Sequence, residues 1–333
     1  MALRRKRKPR RVRTRIAKAS SREHPVSEAL GRLRAVFFGT SEFAVPALQT
    51  LGQSVKVAGV VTQPDRRAGR GQKMVPTPVK KAALNLGFTV WEPTALKSFE
   101  HLHSEHFDIF VLASYGKILP QSVLSLPRLG ALNIHPSLLP KYRGATPIQS
   151  ALRNGDAQTG VSIILMDAGM DTGPLLLQQS AEIRSEDNYG ALHDRLARQG
   201  AALLLKAIAR LAEGSLQAQP QTGEPSYTKP IRKEDLAIHW DWVARQVVDT
   251  VRALAPKPAA RGNVDGETVK LLQARAVPSS VSSLRPGAVA GTADDGLLIK
   301  CGDGLVSIEK VIAPNRAPES GAAYFARIVT SRT

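Results

Sequence analysis

Short apolar runs alternate with helical periodicity through the first two thirds of the chain. Arg34-Ala35-Val36-Phe37-Phe38 is apolar after its first residue, as a strand buried on both faces is, and Gly39-Thr40 closes it. Ser41 is placed to cap a helix through Leu51, with Phe43, Val45, Leu48 and Leu51 inward. Strands follow at Val55–Thr62 and Thr89–Trp91, separated by a loop over Gln63–Pro78 and a helical pattern at Val79–Leu86. Next come a helix near residue 100, a strand at Asp108–Ala113 and a short strand at Gly130–Ile134. Strands at Val161–Met166 and Pro174–Gln179 lead into one long amphipathic helix, Asn188–Ala212. This alternation predicts an α/β domain over 33–212, with a mostly parallel sheet, helices on both faces and right-handed crossovers.

The pattern then changes. Residues 213–230 are polar and carry Pro220, Gly223, Pro225 and Pro230, which reads as a linker. Over 231–333 a helix at Val243–Leu254 precedes short strand-like runs at Val269–Ala274, Ala288–Ala290, Leu297–Cys301 and Val306–Val311. Asp-Gly turns punctuate them, as at Asp265-Gly266, Asp295-Gly296 and Asp303-Gly304, so a small OB-like β-barrel is expected.

Composition narrows the class. A chain of 333 residues has room for two domains. No apolar run approaches the ~20 residues of a membrane span, so a soluble protein without membrane association is expected. Cys301 is the only cysteine, which excludes an internal disulfide and fits a reducing compartment. Only His101, His103 and His106 cluster among the seven histidines; their spacing matches no zinc motif, and no metal is expected. The net charge is +18, which admits nucleic acid, an anionic surface or an acidic small molecule as partner. Residues 1–34 supply thirteen Lys/Arg against two Glu, +11 of that total. Residues 1–32 form a basic extension expected to be disordered, because the Arg4–Arg13 run has no apolar face to bury. Three readings fit it: an arm that strengthens RNA binding, an organelle transit peptide, or an upstream extension from a misassigned start. The charges are too contiguous for a good amphipathic targeting helix. Arm or extension therefore ranks first, and with it a cytoplasmic location ahead of a mitochondrial or other organelle matrix.

The densest chemistry lies in Asn133-Ile134-His135-Pro136. Strand side chains alternate faces, so Asn133 and His135 point the same way, and Pro136 ends the ladder. An amide and an imidazole held side by side at a strand end can donate to an oxygen gaining charge, and the imidazole can move a proton. A strand-end histidine is about as often a satisfied structural residue. Met166–Pro174 adds a Gly-rich loop between two strands with Asp167 and Asp171. A carboxylate beside His135 would orient it and favour its protonated form; Asp171, followed by Thr172-Gly173, is the better candidate, while Asp167 closes its own strand. An ordinary hairpin with turn residues fits the same letters. No Ser or Cys nucleophile motif and no dinucleotide fingerprint is present. Asn/His/Asp without a protein nucleophile points to direct attack of a substrate amine on a bound acyl carbon.

From Arg34 to the C-terminus the chain resembles the methionyl-tRNA formyltransferases, most strongly over Asn133–Gln149 (NIHPSLLPKYRGATPIQ) and Met166–Gly173 (MDAGMDTG). The resemblance implies a Rossmann-like formyltransferase domain, a C-terminal OB-like tRNA-binding domain and a monomer. It implies formyl transfer from 10-formyltetrahydrofolate to the α-amino group of initiator methionyl-tRNA, with Asn133, His135 and Asp171 catalytic. Ser137, Leu138, Leu139 and Pro140 would line the folate site, with Tyr115 and Gly116 close by. NIHPSLLP also occurs in relatives acting on small amines such as amino-sugars or ribonucleotides, and that is the alternative. The loop Thr62–Lys73 favours tRNA: it resembles the family's acceptor-stem loop, and Arg66, Arg67, Arg70 and Lys73 can meet phosphates. The second domain favours tRNA too. Phe43, in the family's first loop, is placed either against the methionyl side chain or in the core. The chain departs from the family in its basic extension and at Ala255–Ala260, where the family often has an Asn and a Trp around the prolines. The charge from Ile231 onward is only +3.

Overall fold

The computed structural model of the chain describes residues 30–68, 71–278 and 283–330. The basic run Arg4–Arg13 and most of the expected extension lie outside the described residues. Leu30, within the expected extension, and Leu33 are both buried in the core.

The first domain is built in chain order from β1 (Arg34–Gly39), α1 (Val45–Gly52), β2 (Lys56–Val61), β3 (Arg66–Ala68), β4 (Lys73–Val75), α2 (Pro78–Asn85) and β5 (Val90–Trp91). It continues through α3 (Glu100–His103), β6 (Ile109–Ala113), α4 (Gln121–Leu124), β7 (Ala131–His135), β8 (Arg143–Gly144) and α5 (Pro147–Arg153). β9 (Gln158–Leu165), β10 (Leu175–Glu182) and α6 (Tyr189–Ala212) complete it. Seven strands form one sheet in the order β10-β9-β7-β6-β1-β2-β5, parallel from β5 to β7, with β9 antiparallel to both its neighbours.

The strands bury both faces, which is why they read as continuous apolar runs. On one face Ala35, Phe37, Leu132, Ile134, Val161 and Ile163 meet α1 and α6. Asn188 caps α6 by accepting from the Ala191 N–H at 3.0 Å. Gly200 lets α6 lie close to the sheet: a Cβ there would stand 2.7 Å from Ile134. On the other face Val36, Phe38, Phe110, Leu112 and Ala131 pack with Leu102, Leu119 and Val123. Ser41 is not the cap expected of it. A 3-10 turn at Glu42–Ala44 precedes α1, Pro46 sits in the helix's first turn, and the Ser41 hydroxyl donates to Ser114 Oγ at 2.8 Å.

After β11 (Tyr227–Thr228) the second domain comprises α7 (Ala244–Leu254), β12 (Ala260–Val264), β13 (Glu267–Val277), β14 (Val289–Ala293), β15 (Gly296–Lys300), β16 (Leu305–Ile312), β17 (Glu319–Ser320) and α8 (Gly321–Thr330). Its sheet is antiparallel, ordered β12-β13-β16-β15-β14 with β17 on β16. β12 and β14 are its two ends, and no pairing among the described residues joins them into a closed barrel. Val247, Val251 and Leu254 of α7 meet Leu271, Ile299, Val306 and Tyr324 in a separate core.

The two domains dock through α7, which packs on α5. Arg252 donates to the backbone oxygens of Asp187 (2.8 Å) and Arg184 (2.7 Å) and to Asp249 Oδ1 (3.0 Å). Asp187 in turn holds Arg195 and the Arg184 N–H. The stretch between the domains is laid down on the first: Leu175 and Gln219 exchange backbone hydrogen bonds, and β11 pairs in parallel with β8.

Candidate active site

On β7, Leu132 and Ile134 belong to the core under α6, while Ala131, Asn133 and His135 face the other way. Ala131 is still within the second core; at Asn133 and His135 the apolar cover ends and loops take over. The loop over 166–174 leaves β9, with the Met166 N–H on Ala131 O at 2.8 Å, and returns through Pro174 O, which accepts from the Leu165 N–H at 3.0 Å. This excursion brings Asp171 over the polar end of β7.

Asp171 Oδ1 accepts from Asn133 Nδ2 at 3.3 Å. Asp171 Oδ2 accepts from the Gly144 N–H at 2.8 Å and stands 3.5 Å from His135 Nδ1. His135 is buried, and its Nε2 lies 2.9 Å from the Tyr142 carbonyl oxygen. A carbonyl only accepts, so Nε2 carries a proton and Nδ1 is the nitrogen that shares or exchanges one with Asp171. The two ring nitrogens therefore both face protein groups. Asn133, half-buried, has a second amide N–H and is the direct donor of the pair.

Asp171 has a left-handed backbone, φ +54°. Gly173 must be glycine, because a Cβ there would lie 1.9 Å from Leu165 O. Asp167 accepts from the Gly169 N–H (3.0 Å) and the Thr172 hydroxyl (2.7 Å), closing its own loop as expected.

A polar row across three strands anchors the segment after β7. Ser162 on β9 is opposite His135, and Gln178 on β10 is opposite Ser162. The Ser162 hydroxyl donates to Ser137 O (2.6 Å) and accepts from the Leu139 N–H (3.1 Å) and Gln178 Nε2 (2.9 Å). Gln178 Nε2 also donates to Leu139 O at 2.8 Å. This arrangement sorts the expected folate-lining residues. Ser137 is buried with its hydroxyl donated to Lys141 O, and Leu139 is buried. Leu138 and Pro140 are half-buried and expose part of their apolar surface. Tyr115 turns its ring into the second core, edge-on to Phe38 at 5.6 Å, where burial pushes its phenol up to about 12. Only its backbone is presented: Tyr115 O accepts from the Thr40 hydroxyl (2.8 Å) and Gln63 Nε2 (3.3 Å). Tyr115, expected close by the folate site, thus faces it with main-chain atoms and not with its ring. Gly116 beside it is exposed, with φ +78°. Phe43 lies in the core, edge-on to His193.

The loop expected over Gln63–Pro78 contains a hairpin. Arg66, Arg67 and Ala68 on β3 pair with Val75, Met74 and Lys73 on β4. Arg66, Arg67 and Lys73 are exposed; Arg70 lies outside the described residues. The base is fixed by Gln63 on Tyr115 O and by Lys80, which bridges Asp65 (2.7 Å) and Glu92 (2.8 Å). Ser162, Gln178 and Gln221 carry no motif, and Tyr142, though inside the Asn133–Gln149 run, was given no role; none of the four was expected at the site. A lone serine within the apolar Val161–Leu165 run was the one signal available for Ser162. Among the described residues no group of three or more His, Cys, Asp or Glu is placed to hold a metal.

Residues 33–208 match the family model described as formyl transferase, and residues 230–328 match that of its C-terminal domain. A methionyl-tRNA formyltransferase of Pseudomonas entomophila is 41% identical over 305 residues, covering 90% of this chain and 96% of that protein. The chain belongs to the methionyl-tRNA formyltransferase family. Solved structures share the fold at lower identity. An N-formyltransferase from Helicobacter canadensis, in complex with folinic acid and dTDP-3-aminofucose, has a TM-score of 0.61 at 18% identity, covering 83% of this chain and 98% of that one. HypX from Aquifex aeolicus in complex with tetrahydrofolic acid has a TM-score of 0.61 at 18% identity over 89% of this chain; the chain spans only 47% of that protein.

Proposed function

We propose that the chain transfers the formyl group of 10-formyltetrahydrofolate to the free α-amino group of initiator methionyl-tRNA. The observation that carries this reading is the meeting of Asn133, His135 and Asp171 at one strand end, in a chain 41% identical to a methionyl-tRNA formyltransferase. The folate supplies an electrophilic formyl carbon. Leu138 and Pro140 offer apolar surface for its ring beside His135.

The amine forms the new N–C bond, and the bond from that carbon to the folate nitrogen breaks. Asn133 donates its second N–H to the formyl oxygen as that oxygen gains charge. The Asp171–His135 pair takes the proton the amine loses and returns it to the departing folate nitrogen. The Tyr142 carbonyl keeps the Nε2 proton in place, so the exchange runs through Nδ1 and the carboxylate. The exposed hairpin with Arg66, Arg67 and Lys73, together with Arg70, supplies phosphate contacts to the acceptor stem. The second domain, OB-like in its small antiparallel sheet, extends that RNA surface. The enzyme acts as a monomer in the cytoplasm; among the described residues no helix is long and apolar enough to cross a membrane.

The test is an acceptor panel. With 10-formyltetrahydrofolate as donor, formylmethionyl-tRNA is the expected product, and nucleotide-linked amino-sugars and ribonucleotide amines remain unformylated. Formylation of a small amine in preference to methionyl-tRNA would overturn the assignment of the acceptor.

A further inference from the structure

The segment joining the domains does more than connect them. It runs between the two loops that bring His135 and Asp171 together, and it is bonded to both. On the His135 side, the Tyr142 N–H donates to Ser226 Oγ at 2.8 Å and the Arg143 N–H donates to Ser226 O at 2.8 Å. Tyr142 is the residue whose carbonyl holds His135 Nε2, and its backbone is left-handed, φ +59°. On the Asp171 side, Gln221 Nε2 donates to two carbonyl oxygens of the catalytic loop, those of Asp171 and Gly173, each at 2.8 Å. Gln221 Oε1 accepts from Arg143 at 2.7 and 3.2 Å, which ties one loop to the other. Arg143 is held from its far side by Tyr227 Oη at 3.0 Å.

We propose that Gln221, acting from the interdomain segment, is a positioning residue for catalysis. It fixes the backbone of Asp171 in its left-handed conformation and so sets the separation of the Asp171 carboxylate from His135 and Asn133. A left-handed aspartate is held only where its surroundings impose it. The side-chain amide suits the task because it donates to the loop carbonyls and accepts from a guanidinium at once. A glutamate of the same shape keeps the acceptor for Arg143 but sets a charged oxygen against two carbonyl oxygens. Gln221→Glu therefore separates the two halves of the role, and Gln221→Met removes both while keeping length.

This inference rests on the formyl-transfer reading, and the experiment keeps the two apart. Wild type, Gln221→Glu and Gln221→Met are compared for kcat, for KM toward 10-formyltetrahydrofolate and methionyl-tRNA, for the pH profile of kcat and for thermal midpoint. Glu224→Ala, an exposed change on the same segment, serves as control. Expected are a fall in kcat of tenfold or more in both Gln221 variants, KM values within threefold of wild type, and a displaced pH profile at an unchanged midpoint. Ser226→Ala, which frees the Tyr142 N–H, should lower kcat by a smaller factor with the same pattern. A kcat within twofold of wild type in both Gln221 variants overturns the positioning role. So does a loss of activity that only follows a lowered midpoint, with the pH profile unmoved in the folded fraction and in Ser226→Ala. If wild type itself transfers no formyl group, it is the functional reading that fails.

Discussion

Asp171 shows how much one carboxylate depends on its neighbours. Its two oxygens divide the work: one faces Asn133, the other His135 and the Gly144 N–H. Asn133→Ala removes the donor to the developing negative charge, and a loss of about 10²–10³ in kcat is expected, the size seen when one such donor is deleted. His135→Ala and Asp171→Ala should lower kcat at least as far, each with a circular dichroism spectrum like that of wild type. Asn133 and His135 were readable from strand alternation, because period two is a geometric rule of strands. The choice of Asp171 over Asp167 was readable from the Thr172-Gly173 that follows it, and the structure gives Asp167 the local role. Tyr142 was not readable. Its contact with His135 is through its carbonyl oxygen, which every residue has, and no local pattern shows that the Tyr115 ring turns into the core.

At the level of elements, the long or doubly buried segments were legible and the short ones were not. β1, β6 and α6 carry unbroken apolar or 3.6-residue patterns. α5 has seven residues, too few for its period to stand out, and begins at Pro147 after a loop-like sequence. The hairpin β3–β4 pairs three residues with three, and its large apolar residues, Met74 and Val75, are adjacent and exposed, so no alternating buried face marks it. The phosphate-binding role proposed for it is separable from the chemistry proposed for Asn133, His135 and Asp171. Arg66→Ala, Arg67→Ala and Lys73→Ala should each weaken methionyl-tRNA binding and reduce the slope of log affinity against log salt by about 1. The KM for 10-formyltetrahydrofolate should not change. A slope equal to that of wild type in all three would show that the hairpin does not meet phosphates.

The two domains are joined by a polar cluster around the buried Asp187 and Asp249, which only the tertiary structure reveals. Asp187, Arg184 and Arg195 come from the first domain, and Arg252 and Asp249 from the second. Burial opposes ionisation of Asp187. The hydrogen bonds from Arg195 and the Arg184 N–H outweigh it and leave the carboxyl below its ordinary value. A carboxylate with a lowered folded value contributes stability above its unfolded value of about 4, and loses it as pH falls through the folded value. Asp187→Asn should therefore unfold at lower temperature than wild type at pH 7, with the gap closing as the pH falls below the ordinary carboxylate value and through the lowered folded one. Asp187→Ala should cost about 3 kcal/mol at neutral pH, because it strands Arg195 without its partner. No motif marks this cluster, since its members lie up to 68 residues apart and meet only when α7 docks. Charge, by contrast, was readable along the chain: most of the excess sits before Arg34, while the second domain is nearly balanced. The sharpest test of the whole account is a single-turnover assay with labelled 10-formyltetrahydrofolate and methionyl-tRNA, comparing wild type with Asp171→Ala. Wild type is expected to place label rapidly on the methionyl α-amino group, and the variant to do so at a rate at least about 10²-fold lower. Equal rates in the two proteins, or no label on methionyl-tRNA with wild type, would contradict it.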